Sequence, residues 1–182
     1  YGYSPGLLWK HSVAVALLGK MIYRVVFREK GDKAYTAGLL HEFGMISEDQ
    51  LCNQDFREAV RLSREKNINL VEAEEQIFAF HHAQLACEIA LDWKLPEELA
   101  VGLACHHAPD TAPPEHARFA SVLYVADYLC QKHQIGYCDA PYRNRKTYQR
   151  CLVRLNMEPY MLDLIMEDMR GKLSEMEQRG LI

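Results

Sequence analysis

The sequence carries no basic excess: 21 lysines and arginines stand against 25 acids, a formal net charge of -4. It therefore lacks the positive footprint through which proteins gain affinity for nucleic-acid phosphates, and no nucleic acid is expected as a partner. Nor is there a run of about 18 uncharged apolar residues or a segment built like a secretory leader, so no membrane association is expected. The six cysteines (Cys52, Cys87, Cys105, Cys130, Cys138, Cys151) form no CxxC pair and no compact disulfide spacing. That usage points to reduced thiols and a cytoplasmic location. Glycine and proline are sparse, ten and seven in 182 residues, and period-two alternation is absent, so no strands are expected.

What remains is apolar spacing of three and four, and the chain reads as all-α. Hydrophobic residues make up 49% of it, enough for one core. The spacing predicts helices from Ser4 and Pro5 to about Phe27, Asp32 to Met45, Ser47 (with Gln50 as a capping box) to Glu65, and Asn69 to Trp93. Further helices are expected from Pro96 to His107 or Ala108, Glu115 to His133, Thr147 to Leu155 and Pro159 to Gln178. The first 140 residues are expected to form the main helical domain, with 141–182 a helical extension packed on it. The chain starts at Tyr1 and enters a helix almost at once, so the gene product is expected to extend upstream.

The helical stripes place several polar residues where a core should be. His11 lies between Leu8 and Val15, and His82 shares a stripe with Phe78, Leu85 and Ile89, whereas His81 falls on a polar one. His106 and His107 follow Leu99 and Leu103, and Asp127 sits inside ASVLYVADYLC. In LLHEFGM, His41 and Glu42 stand side by side between apolar residues. His116 and His133 lie near helix ends among polar neighbours and carry no assigned role. One inward histidine is ordinarily a hydrogen-bonded core residue. Five helices contributing inward imidazoles and carboxylates are harder to satisfy that way, because each uncompensated buried carboxylate costs several kcal/mol. Metal cations compensate them. Nitrogen and oxygen donors without thiolate suit iron, manganese, zinc or nickel better than calcium or magnesium. Seven ligands exceed one ion. Two ions sharing Glu42 would use them, one held by His11, His41 and Asp127, the other by His82, His106 and His107.

The phrases LWKHSVAVALL, AGLLHEFG, HHAQLACEIALDWKLPEELAVGLACHH and VLYVADYL carry these residues in the order His, His-acid, His, His-His, Asp. Over about residues 3–137 the chain resembles an HDOD domain, the bacterial signalling branch of the HD superfamily of metal-dependent phosphohydrolases and a relative of the HD-GYP phosphodiesterases. The resemblance implies an HD/HDOD-type helical bundle, usually with a further helical lobe upstream. It implies that His11, His41, Glu42, His82, His106, His107 and Asp127 are metal ligands, with Glu42 replacing the aspartate of the HD doublet. Three departures accompany it. The lysine of HDxGK, which reaches a substrate phosphate in catalytic relatives, is here Met45, and a thioether cannot bind phosphate. No GYP motif follows His107, the Gly136-Tyr137 pair being coincidental, and Leu7 offers no carboxylate for an additional metal.

The expected function is a signal-transduction domain with a retained, dinuclear metal site and little or no hydrolase activity, its partner a signalling protein or a phosphate-containing ligand. Two alternatives stay open at this point: an active metal-dependent phosphodiesterase and a metal-free interaction scaffold. An enzyme would need a cationic lining, for which Arg143, Arg145 and Lys146 are the nearby basic cluster. A scaffold would need an apolar face, for which the stripe Met161, Leu164, Ile165, Met169 and Leu173 is the candidate.

Overall fold

A computed structural model describes residues 4–138 and 144–182. Ten α-helices and one short 3₁₀ turn are present, with no strand among the described residues: α1 Pro5–Phe27, α2 Asp32–Leu40, α3 Phe43–Leu51, α4 Asn53–Lys66, α5 Leu70–Phe78, α6 His82–Asp92, α7 Glu97–Cys105, the turn Pro109–Thr111, α8 Ala117–Lys132, α9 Arg145–Leu155 and α10 Pro159–Gln178. The all-α reading holds.

Helix α1 is the axis of the bundle. Its stripe Leu8, His11, Val15, Leu18 and Ile22 is buried throughout. The upper part of that stripe joins Phe119, Leu123 and Tyr124 of α8 with Leu152, Leu162 and Met169 of α9 and α10 in one apolar cluster. Burying a large side chain of this kind contributes about 1.5–3 kcal/mol, so the C-terminal helices are part of the main core. Helix α10 turns a different face inward from the one the spacing predicts. Leu162 and Met166 are buried with Met169 and Leu173, while Leu164 is exposed. The α1 contact selects that face, and of the stripe that a scaffold reading would use, Met169 and Leu173 are in the core with Met161 and Ile165 packed against it. A second cluster gathers Leu8, Met45, Phe56, Val60 and Leu70 under α3 to α5, and a third, rich in alanine, joins α6 to α7.

Two predicted helices break, and both breaks build the site. The helix expected to reach Met45 ends at Leu40, and Glu42 (φ -96, ψ 10) leaves helical geometry before α3 begins. In an unbroken helix neighbouring side chains diverge by roughly 100°; at the break His41 and Glu42 turn into one pocket, His41 Nε2 3.5 Å from Glu42 Oε1. Gly38 permits α2 to lie directly on the backbone of Ala16 in α1, and Gly44 permits α3 to reach the backbone of His82, where a Cβ would strike the carbonyl. The expected cap at Ser47 is absent: its hydroxyl donates to Phe43 O at 3.1 Å within α3, and the boundary falls at Cys52.

The helix expected from Asn69 to Trp93 likewise splits. Asn69 does cap its start, accepting from Glu72 N at 2.8 Å. Ala79 then turns left-handed (φ 65) and α6 restarts at His82. The restart releases the His82 backbone N–H from helix bonding, and it donates to Glu74 Oε2 at 3.0 Å instead. Buried positions in α6 are His82, Ala83, Ala86 and Ala90, so Leu85 and Ile89 of the predicted stripe sit half-buried beside the observed one.

Candidate metal centre

All seven residues singled out in the sequence converge where these helix ends meet. His11 comes from α1, His41 and Glu42 from the α2–α3 break, His82 from the start of α6, His106 and His107 from just past α7, and Asp127 from α8. None is more than 6% exposed. His81, by contrast, is half-buried at the helix start, where its backbone N–H donates to Gln84 Oε1.

Four imidazoles are tied off on their outer nitrogen. Nδ1–H of His41 donates to Gly38 O at 2.8 Å, that of His106 to Leu103 O at 2.6 Å and that of His11 to Ile135 O at 3.2 Å. His82 Nδ1 donates to the Glu74 carboxylate at 2.7 and 3.0 Å. Because a carbonyl oxygen can only accept, these bonds fix the tautomer and leave Nε2 facing inward.

The inner atoms lie close to one another. His11 Nε2 lies 3.1 Å from Asp127 Oδ1, His41 Nε2 3.5 Å from Glu42 Oε1 and His82 Nε2 3.1 Å from Glu42 Oε2. Nevertheless Nε2 of His11, His41 and His106 and Oε2 of Glu42 are buried without a well-aligned hydrogen bond. Each such atom costs about 1–3 kcal/mol if nothing satisfies it. His82 Nε2 and His107 Nε2 stand 2.8 Å apart. Ligand atoms of Glu42, His82, His106 and His107 lie within 4.8 Å of one another, as do those of His11, His41 and Glu42. Glu42 belongs to both groups. Asp127 borders the second through His11, and both its oxygens also accept from Gln131 Nε2.

Electrostatics prepares the donors. Burial pushes His106 down to about 3 and holds His41 and His107 below the usual imidazole range, which keeps these rings neutral with lone pairs available. Burial also opposes charge on His82 and His11, but Glu74 and Glu42 outweigh it at His82, and Asp127 at His11, so both are raised. Glu42 and Asp127 are lowered, the neighbouring imidazoles overcoming the burial that would raise them. Three neutral imidazoles, two anionic carboxylates and inward atoms lacking a well-aligned hydrogen bond fit a transition-metal site, and all seven residues could contribute to it.

Met45 occupies the position where the resemblance would place a phosphate-binding lysine, and it is fully buried in the second apolar cluster. Arg145 and Lys146 are exposed at the start of α9, and Arg143 lies outside the described residues. Reading the sequence missed two buried acids beside His82, Glu74 on α5 and Glu48 on α3. A signal existed for Glu74, which stands four residues from both Leu70 and Phe78, but VEAEEQ reads as a wet helix face.

The HDOD domain family matches residues 5–109. No curated protein sequence matches the chain. Among solved structures, an HDOD domain protein of unknown function from Geobacter sulfurreducens is similar, with TM-score 0.76, 24% identity and coverage of 92% of this chain and 59% of its own. A protein provisionally assigned to signal transduction in Marinobacter aquaeolei VT8 gives 0.80 at 18% identity over 98% and 39%. One provisionally called a phosphohydrolase in Shewanella amazonensis SB2B gives 0.68 at 16% over 92% and 58%. The chain thus spans 39% to 59% of the length of these structures, and the likenesses establish the fold.

Proposed function

The chain belongs to the HDOD family, and we propose that it is a signal-transduction domain that holds two transition-metal ions about Glu42 and hydrolyses phosphate esters little or not at all. The observation that carries the proposal is the set of buried imidazoles with Nδ1 tied outward and Nε2 turned in around one shared carboxylate. The two oxygens of Glu42 face different groups, Oε1 towards His41 and Oε2 towards His82, so Glu42 could serve both ions. One ion would use His11, His41 and Asp127, the other His82, His106 and His107. Iron, manganese, zinc and nickel are the metals suited to these donors. A metal-free scaffold would leave Nε2 of His11, His41 and His106 without a well-aligned hydrogen bond in the core.

When bound, such ions supply Lewis acidity and lower the pKa of a coordinated water. What speaks against hydrolysis is the rest of the pocket. Met45 packs among Leu8, Phe56 and Leu70, so no cation at that position can orient a phosphate. Glu42 is one methylene longer than the aspartate of the HD doublet, and placement errors near an angstrom are costly in such sites. Two surface cavities lie elsewhere, one lined by Lys20, Arg24 and Arg28 and another by Phe43, Ile89 and Trp93. A cytoplasmic signalling protein or a phosphate-containing ligand is the partner this reading proposes. The test is turnover of bis(p-nitrophenyl) phosphate by protein loaded in turn with iron, manganese, zinc and nickel. The proposal expects no rate above free metal. A metal-dependent rate lost in Glu42→Ala would replace it with the phosphodiesterase reading.

A further inference from the structure

His106 and His107 stand on the short link between the end of α7 at Cys105 and the 3₁₀ turn Pro109–Thr111. Rings carried on such a link are placed only as well as both of its ends are held. The upstream end is helix. At the downstream end Ala108 N–H donates to Cys105 O at 3.0 Å, while Thr111 donates to Ala108 O through its N–H at 3.0 Å and its hydroxyl at 2.7 Å. Asp110 then ties the turn to α9. Its Oδ2 accepts from Arg150 Nε at 2.9 Å and Nη2 at 2.5 Å, and its Oδ1 accepts from Arg154 Nη2 at 2.8 Å. Arg154 is itself anchored on α8, where its Nη1 donates to Oγ of the fully buried Ser121 at 2.9 Å. A single exposed ion pair fixes little, but two guanidiniums forked onto one carboxylate fix its direction as well as its distance.

We propose that Arg150 and Arg154, acting through Asp110, are positioning residues for the metal site: they clamp the link so that His106 and His107 meet the same ion as His82. This rests on the metal-binding reading above and deepens it. Both arginines belong to α9, whereas the HDOD match ends at residue 109, so the clamp reaches back to the site from beyond the matched segment. Its effect is one-sided. His11 and His41 are oriented by the carbonyls of Ile135 and Gly38, which the clamp does not involve. Charge and positioning also make opposite predictions here. An arginine near a cation site repels the ion, so removing it would tighten metal binding if its field were what mattered. Loss of a positioning contact weakens binding instead.

The experiment is a zinc titration of the full chain in competition with a chromogenic chelator. Asp110→Ala, the pair Arg150→Ala and Arg154→Ala, and all three together are each made in His41→Ala and in His82→Ala backgrounds. The first background keeps the ion on the His82 side, the second the ion on the His11 side. In the first, loss of Asp110 or of both arginines should weaken zinc binding about tenfold, and all three substitutions together should do no more, because they remove one contact. In the second, binding should stay within about twofold. Hydrogen exchange in the metal-free, otherwise wild-type chain gives a readout without zinc. The amides of Ala108 and Thr111 should exchange about tenfold faster in Asp110→Ala, while those of the α1 core keep their rates. Unchanged or tighter zinc binding in the His41→Ala background, or equal weakening in both backgrounds, would overturn the proposal. If those backgrounds do not fold, unaltered exchange at Ala108 and Thr111 would overturn it instead. Wild-type protein that takes no zinc would sink the metal-binding reading, and the exchange rates would still decide whether the clamp holds the link.

Discussion

The two halves of the pocket are built differently. On one side His11 and His41 lean on backbone carbonyls, Ile135 O and Gly38 O, which the fold holds in place. On the other His82 leans on a buried carboxylate, with His106 and His107 completing a three-imidazole group. A carbonyl behind an imidazole fixes its geometry; a carboxylate also raises its basicity. In the proposed site the His82 side would therefore be the stronger half, and its affinity would depend on a side chain outside the ligand set. The His11 side must also share Asp127 with Gln131.

The largest effect is expected where the pocket meets the apolar cluster beneath it. Met45→Lys restores the residue type of catalytic relatives but places an ammonium at a fully buried site. It should cost at least about 3 kcal/mol in urea unfolding and yield no phosphodiesterase activity. Glu42→Ala removes the carboxylate common to both halves and should abolish uptake of both ions. It should also eliminate the stabilisation that bound metal confers, about 3–4 kcal/mol when metal stands 100- to 1,000-fold above its dissociation constant. Next come the single-sided changes. His82→Ala and His41→Ala should each leave about one ion per chain, and the ion that survives His41→Ala should be the harder to remove with chelator. Equal resistance to chelator would erase the asymmetry.

The smallest effect is a pH dependence. Glu48 holds its proton up to about 9 in the folded chain, against 4.5 for the ordinary carboxyl. Between those limits the folded state carries the extra proton, so the stability linked to Glu48 is fully present below the lower value and is lost as pH rises towards the higher. Glutamine carries no such proton. In chelator-treated protein Glu48→Gln should thus match wild type near pH 5 and exceed it by about 1–3 kcal/mol near pH 8, read by urea unfolding.

Much of this was legible because it is local. The α1 stripe with His11 in it, the inward Asp127 in α8 and the His106-His107 pair after Leu103 all follow from spacing of three and four. The breaks at Glu42 and Ala79 were not, since apolar periodicity runs through both and only tertiary contacts reward leaving the helix. His82 was correctly placed inside even though the helix assumed for it does not exist. Leu164 was misjudged for the same reason: Leu162 and Met166 lie on a neighbouring stripe, and contact with α1 decides between them. Glu74 stood four residues from both Leu70 and Phe78, but the acids around it masked that signal, and Glu48 lies beside Asp49 in SED, which reads as a wet face.

The central claim is that the buried imidazoles hold metal, and its most direct measurement is elemental mass spectrometry on protein purified without chelator or histidine tag. The account predicts close to two equivalents of iron, manganese, zinc or nickel per chain, falling towards zero in Glu42→Ala. Wild-type protein that is folded and carries no transition metal, even after incubation with these ions, would contradict it.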